Sequence, residues 1–160
     1  MEQNLIFNQF EMGRKFLMMG AEHITEENAD IIPEGFPNNL RWQLGHILVS
    51  VEYLVFHQAG EKMNLPEGYA EMFSRGTSPK DWTTEPPKVD VLKAQLSEQM
   101  GRVRATFDGR LDEKLPEPFK GGPFEFHTVG EMLLFALFHE SEHIGCIKGL
   151  KAGIKSHVNA

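Results

Sequence analysis

Apolar residues recur at helical spacing in four separate stretches of this 160-residue chain. The stretches run from about Asn4 to His23, from Asn38 or Asn39 to Ala59, from Thr84 to Arg110, and from Thr128 to Lys151. Each is long enough for a helix of several turns, and polar residues occupy the positions between the apolar ones. The pattern therefore predicts four long amphipathic helices.

Residues at the ends of these stretches support the same division. Asn38 and Asn39 are both good N-caps for the second helix, and Gly60 follows its last apolar residue. Two prolines at 86–87 suit the first turn of the third helix. Thr128 and Glu131 have the spacing of a capping box at the start of the fourth.

The connecting segments differ in length. Residues 24–38 and 111–127 are predicted to be loops, and the longest connection, 60–87, is predicted to contain a short helix at about 67–74. The alternating run at 124–127 is too short to carry a sheet. These observations predict an all-α fold: one four-helix bundle domain over residues 1–160 with one long crossover loop.

Composition narrows the function classes. The formal net charge is −7, and the basic residues are scattered, so we expect no nucleic-acid partner. Cys146 is the sole cysteine, which excludes an intramolecular disulfide and fits a reducing compartment. The N-terminus lacks the pattern of a secretory signal, and the apolar run at 132–138 is too short to span a bilayer. We therefore expect a cytoplasmic protein without a membrane partner.

Candidate chemistry concentrates in the fourth helix. His139 and His143 are four residues apart, so they share one helical face, and that face is otherwise apolar. Burying two imidazoles is costly unless their nitrogens find partners, and a single metal ion would satisfy both. The alternative is two core histidines bonded to backbone carbonyls. Cys146 lies one turn further on, and we expect it to be a small buried residue rather than an additional ligand.

A third histidine, His46, lies in the second helix, on an apolar seam that also contains Trp42 and Tyr53. That helix has a second apolar seam, and periodicity alone does not decide which of the two faces the site. If His46 is a ligand, Trp42 and Tyr53 are candidates for a pocket wall. Trp82, in the long connection, is either a further wall residue or an anchor for the loop.

Two glutamates flank the histidine face. Glu140 and Glu142 could each orient an imidazole or act as a base, or they could be ordinary carboxylates on the helix surface. With the histidines they match both the zincin motif and its inverted form. A metzincin would need glycine at 146 and histidine at 149, where this chain has Cys146 and Gly149. No strand that could pair with a peptide is evident either, so the sequence disfavours a protease.

Three segments resemble the DinB/YfiT-like superfamily: NLRWQLGHI at 39–47, TVGE at 128–131 and HESEHIG at 139–145. The resemblance implies a four-helix bundle in an up-down-down-up arrangement that forms a homodimer. It also implies a divalent metal, zinc or nickel in many members, bound at the positions of His46, His139 and His143. Relatives of known activity include thiol-dependent S-transferases, a thiol-dependent isomerase and hydrolases.

The function expected from these observations is that of a metal-dependent enzyme. Its three-histidine site would activate a low-molecular-weight thiol, such as bacillithiol, for transfer to a small-molecule substrate. Two alternatives remain open. One is a metal-dependent hydrolase of a small molecule, and the other is a metal-binding stress-response protein without turnover.

Overall fold

The computed structural model describes residues 3–158, and helices account for most of them. The α-helices are α1 (Gln3–Ala21), α2 (Leu40–Val51), α3 (Tyr69–Phe73), α4 (Val89–Phe107) and α5 (Val129–Val158). A π-helical segment, Glu52–His57, continues α2 without a break, and a 3₁₀ turn covers Pro79–Asp81. The prediction of a mostly helical chain is confirmed.

Two of the predicted caps are present. The Asn39 side chain accepts a hydrogen bond of 2.8 Å from the backbone N–H of Trp42 at the start of α2. At the start of α5, the N–H of Glu131 donates to Thr128 Oγ1 at 3.3 Å, and the Glu131 carboxylate accepts from the Thr128 N–H at 2.9 Å. Both helices therefore begin where the side-chain chemistry predicted.

The far end of α5 lies beyond the predicted one. The helix continues past Lys151 and through Gly153 to Val158. A Cβ at position 153 would lie 2.9 Å from the side chain of Pro33, so this glycine permits a close contact with the 24–38 loop. It is a packing residue within the helix rather than a helix stop.

The prediction that residues 111–127 form a loop is wrong. They contain β1 (Lys114–Gly121), which pairs antiparallel with β2 (Phe124–Thr128), with Phe119 opposite Phe126. Strand β1 carries Pro116 and Pro118, which weaken the sequence signal for a strand, and its register is interrupted between Lys114 and Phe119. The chain is therefore not all-α: it is mostly helical with a small two-stranded sheet.

The long helices contact one another in a closed circuit: α1 packs on α4 and α5, and α2 packs on the same two helices. Their buried apolar side chains form two clusters. One includes Leu44, Ile47 and Ile147, and the other includes Phe7 and Phe107. Within residues 3–158, no helix is both long enough and apolar enough to cross a membrane. The packing of α2 on α5 brings histidines that are distant in the sequence together.

Candidate metal centre and its cavity

Three imidazoles meet where α2 packs on α5. His46 comes from α2, and His139 and His143 come from successive turns of α5. The Nε2 atom of His139 lies 3.3 Å from Nε2 of His46 and 3.2 Å from Nε2 of His143. These residues form the histidine cluster. Among the described residues, these three are the set of histidine, cysteine or acidic side chains whose ligand atoms lie close enough together to share a metal ion.

Hydrogen bonds on the opposite side of two rings fix their orientation. Nδ1 of His46 lies 2.6 Å from the backbone carbonyl oxygen of Phe73, and Nδ1 of His143 lies 2.6 Å from Oε1 of Gln43. Both oxygens can only accept, so each Nδ1 carries the proton and donates it. In the neutral rings, the Nε2 lone pairs of His46 and His143 therefore face the middle of the cluster.

Burial keeps the rings neutral. Desolvation is the largest cause of a lowered pKa in all three, and it outweighs the Phe73 carbonyl, which acts in the opposite direction on His46. The pKa of His139 is lowered to about 4, with a further contribution from the nearby His46 ring. The pKa of His143 is lowered to about 3, with contributions from both neighbouring rings. Near pH 7 the imidazoles are uncharged, which is the form that binds metal.

The nitrogens present fit a metal ion. With two inward lone pairs fixed, the Nε2 of His139 can donate its single proton to one neighbour, and Ser50 Oγ lies 3.4 Å from Nε2 of His46 as a second donor. A cation would accept all three lone pairs at once. Ligand nitrogens about 2.0–2.1 Å from a tetrahedral ion lie roughly 3.3–3.4 Å apart, close to the distances of 3.2 and 3.3 Å between these Nε2 atoms. Three imidazoles suit zinc, nickel, copper and iron alike.

The surroundings of His46 explain how the sequence builds this geometry. Its ring stacks on Trp42, with ring centroids 4.4 Å apart and an interplanar angle of 10°. The neighbouring residue, Gly45, allows Phe73 to approach α2: a Cβ there would lie only 2.4 Å from the Phe73 ring. The Phe73 backbone carbonyl can therefore reach the imidazole.

The cluster lies beside an open cavity of about 690 Å³. The cavity is bounded by α2 and its π-helical continuation, the turn after α3, the tip of the β-hairpin, and α5. Trp42 and Tyr53 both contribute to its wall, and Tyr53 is also stacked on His57. Apolar side chains of the hairpin and of α5, Phe119 and Phe135, complete this side.

The two flanking glutamates have different surroundings. Glu142 is exposed and lines the cavity. Glu140 is 1 % exposed, and its carboxylate faces α1, where Arg14 binds both oxygens at 2.9 and 3.0 Å. A zincin would use Glu140 as its base, and the ion pair holds that carboxylate instead. The hairpin removes one sequence argument against a protease, while the position of Glu140 adds a new one.

Arg14 and Glu140 belong to a larger set of buried polar groups. The Arg14 guanidinium also donates to the Leu96 carbonyl and to Gln99, and Gln99 donates to Glu52. Arg102 donates to the same Glu52 carboxylate. We call these side chains the charged cluster: Arg14, Glu52, Gln99, Arg102 and Glu140.

Trp82 and Cys146 lie outside the cavity lining. The indole N–H of Trp82 donates to the Met72 carbonyl at 3.1 Å, and its ring packs edge-on against Phe73 at 5.6 Å. Trp82 is thus the loop anchor of the two alternatives, and it reaches the site only through Phe73. Cys146 is exposed, contrary to the expectation of a buried residue.

Sequence reasoning missed the two groups that hold the rings. Gln43 lies three residues before His46, in a helix whose residues are nearly all buried. A buried amide needs a hydrogen-bond partner, and that need was the signal that could have pointed to Gln43. Phe73 acts through its backbone carbonyl, which leaves no side-chain signature. The hairpin tip was missed together with the hairpin.

Comparison with known proteins places the fold and the family. The family model described as the DinB superfamily matches residues 9–147. A solved structure of a conserved protein from Enterococcus faecalis is similar in fold, with a TM-score of 0.69, 14% sequence identity, and coverage of 97% of this chain and 98% of that one. No curated protein matches this chain.

Proposed function

This chain belongs to the DinB superfamily, and we propose that it is a metal-dependent enzyme that activates a low-molecular-weight thiol for transfer to a small electrophile. One observation carries the proposal: three neutral imidazole nitrogens converge beside a cavity of about 690 Å³. The volume is in the range of small-molecule sites. His46, His139 and His143 would hold the ion, and zinc and nickel are the metals that the family resemblance favours.

The proposed mechanism assigns separate tasks to the residues around the cavity. The Phe73 carbonyl and Gln43 hold two imidazoles in the tautomer that leaves Nε2 free. When bound, the ion stabilises the anionic form of a nucleophile beside it. Trp42 and Phe135 cover apolar parts of the thiol and keep water away from its sulfur.

Among the described residues that line the cavity, Glu142 is the one with a carboxylate. It accepts the proton that the thiol releases. The sulfur then forms a bond to the electrophilic carbon of the second substrate. The leaving group of that carbon departs with the bonding electron pair. Glu140 takes no part in proton transfer, since Arg14 binds both of its oxygens.

The cavity also bears on the two alternatives. A hydrolase would use the same three histidines and Glu142, with water in place of the thiol. A metal-binding protein without turnover would need a closed ligand shell, and an open cavity beside the nitrogens supports exchange of ligands instead.

Further proposals rest on the resemblance. The four long helices would form a four-helix bundle, and the protein would act in the cytoplasm on a small molecule, without a nucleic-acid or membrane partner. It would form a homodimer, which would cover apolar side chains now exposed on α1. These side chains are Leu5, Met12, Phe16 and Met19.

The test is a conjugation assay on metal-loaded protein. Protein with Zn²⁺ or Ni²⁺ is incubated with bacillithiol or another low-molecular-weight thiol and monochlorobimane, and the fluorescent conjugate is measured. We expect conjugation well above that of the His46→Ala variant. Ester hydrolysis that continues without thiol would indicate the hydrolase, and stoichiometric metal without any turnover would indicate the non-catalytic alternative.

A further inference from the structure

Two cationic side chains from different elements line the cavity. Arg75 lies in the turn after α3, and Lys120 lies near the tip of the hairpin on β1. Both are exposed, and within residues 3–158 neither side chain forms a hydrogen bond or an ion pair; the residue opposite Lys120 across the hairpin is Glu125. Their charges are therefore available to a molecule in the cavity.

The contrast with the other arginines is informative. Arg14, Arg41, Arg102, Arg104 and Arg110 each form an ion pair with a carboxylate of this chain. Arg75 is the exception in the part of the chain that the structure describes. An arginine at a cavity wall without a carboxylate partner is suited to binding one from a ligand, because its planar fork matches two carboxylate oxygens.

The charge balance of the cavity is opposite to that of the chain. The protein carries a formal net charge of −7, whereas Arg75 and Lys120 face a single acid, Glu142, in the described lining. The lining residues thus carry more positive than negative side-chain charge, and an ion held by the three histidines would add to it. Such a site complements an anionic group of a ligand.

We propose that the cavity selects a small molecule that carries a carboxylate, held by Arg75 and Lys120, while its reacting group lies at the histidine cluster. This inference rests on the proposed function, because it names the substrate class of the same site. Arg75 and Lys120 are thus specificity-determining residues.

The test uses thiols of similar length and different charge on the Co²⁺-loaded protein. The probes are 3-mercaptopropionate, 3-mercaptopropionamide and cysteamine, and the near-ultraviolet absorption of the cobalt–thiolate bond reports binding without any need for turnover. We expect 3-mercaptopropionate to bind about tenfold more tightly than the amide, with cysteamine weakest. The preference should weaken as the salt concentration rises.

Variants locate the source of this preference. Arg75→Gln and Lys120→Gln should each reduce the preference severalfold, and the amide should bind all variants equally. Lys114→Gln is the matched control, because Lys114 lies on the same strand outside the cavity lining and its loss changes the net charge by the same amount. Metal analysis of every variant shows whether a change in affinity comes from metal loss.

The outcomes separate this inference from the proposed function. Equal affinities for the three thiols would overturn the inference and leave thiol activation intact. If no thiol gives the cobalt–thiolate signal, the proposed function fails, and calorimetry with propionate and propionamide decides the inference alone. Propionate binding that is lost in the Arg75→Gln/Lys120→Gln double variant supports it, and equal binding in both proteins contradicts it.

Discussion

His139 and Glu140 are adjacent in the sequence, yet they enter two different clusters of polar side chains. In the charged cluster, the side chains satisfy one another: Arg14 binds both oxygens of Glu140, and Gln99 links this pair to Glu52. In the histidine cluster, the outer nitrogens of His46 and His143 are hydrogen-bonded, and the inner ones converge on a common point.

This difference assigns the charged cluster to folding and the histidine cluster to ligand binding. A cluster whose donors and acceptors are already paired has nothing left to offer a ligand, and its loss is felt in folding. A cluster whose lone pairs converge beside a cavity can still accept a ligand. Variants in the two clusters should therefore affect different measurements.

The largest expected effect is on the charged side. Arg14→Met leaves the Glu140 carboxylate buried without its partner, and we expect the free energy of unfolding to fall by about 3–5 kcal/mol. Urea denaturation of the metal-free protein measures this. The metal affinity of the folded variant, measured by calorimetry, should stay at the wild-type value.

The double variant Arg14→Met/Glu140→Leu is the control. With both charges removed and the volume filled, most of the lost stability should return. A loss of no more than about 1 kcal/mol in the single variant, as for an exposed pair, would contradict the buried arrangement.

The next effect is on the histidine side and requires metal. At a free Zn²⁺ concentration of 100 times its dissociation constant, the folded protein should gain about 2.7 kcal/mol of stability. Unfolding curves with and without a chelator measure the gain. In His139→Ala it should vanish, while the metal-free stability changes far less than in Arg14→Met. An equal gain in both proteins would place the ion elsewhere.

Patterns within single elements predicted much of this molecule. The caps at Asn39 and Thr128 and the apolar periodicity located the long helices, because both signals act within a few residues. The spacing of His139 and His143 on an apolar face likewise indicated a metal pair, since helical geometry alone aligns them.

Features that depend on contacts between elements were not predictable in this way. A two-stranded hairpin is marginal by itself, and this one is supported by packing of Phe119 and Phe126 on Phe135 of α5. Glu140 is buried against α1, whereas Glu142 is exposed and lines the cavity, and the sequence of α5 alone does not separate the two. Arg14, the partner of Glu140, is 126 residues away in the sequence.

Two buried glutamines provide a matched comparison of the clusters. Gln43 accepts a hydrogen bond from the Nδ1–H of His143, whereas Gln99 joins Arg14 to Glu52. Gln43→Leu should weaken metal binding by about 10–100-fold, because the imidazole loses the partner that fixes its tautomer and orientation. Gln99→Leu should leave metal affinity unchanged and lower the stability by about 1–3 kcal/mol. If the two variants changed the same measurement by the same amount, the two clusters would not be independent.

The smallest expected effect tests whether the long loop acts on the histidine cluster through Phe73. Trp82→Phe keeps a ring against Phe73 and removes the N–H that donates to the Met72 carbonyl. Thr77 Oγ1 also donates a hydrogen bond to that carbonyl. The free energy of unfolding should therefore fall by an amount near the lower end of about 0.5–1.5 kcal/mol. Metal affinity should fall by less than in Gln43→Leu, because the Phe73 carbonyl keeps its position while the ring packing remains. Trp82→Ala removes the packing as well and should weaken metal binding further. Calorimetric titration of Zn²⁺ into both variants measures the difference. If both variants bind Zn²⁺ with the wild-type affinity, Trp82 supports the loop alone and does not act on the histidine cluster.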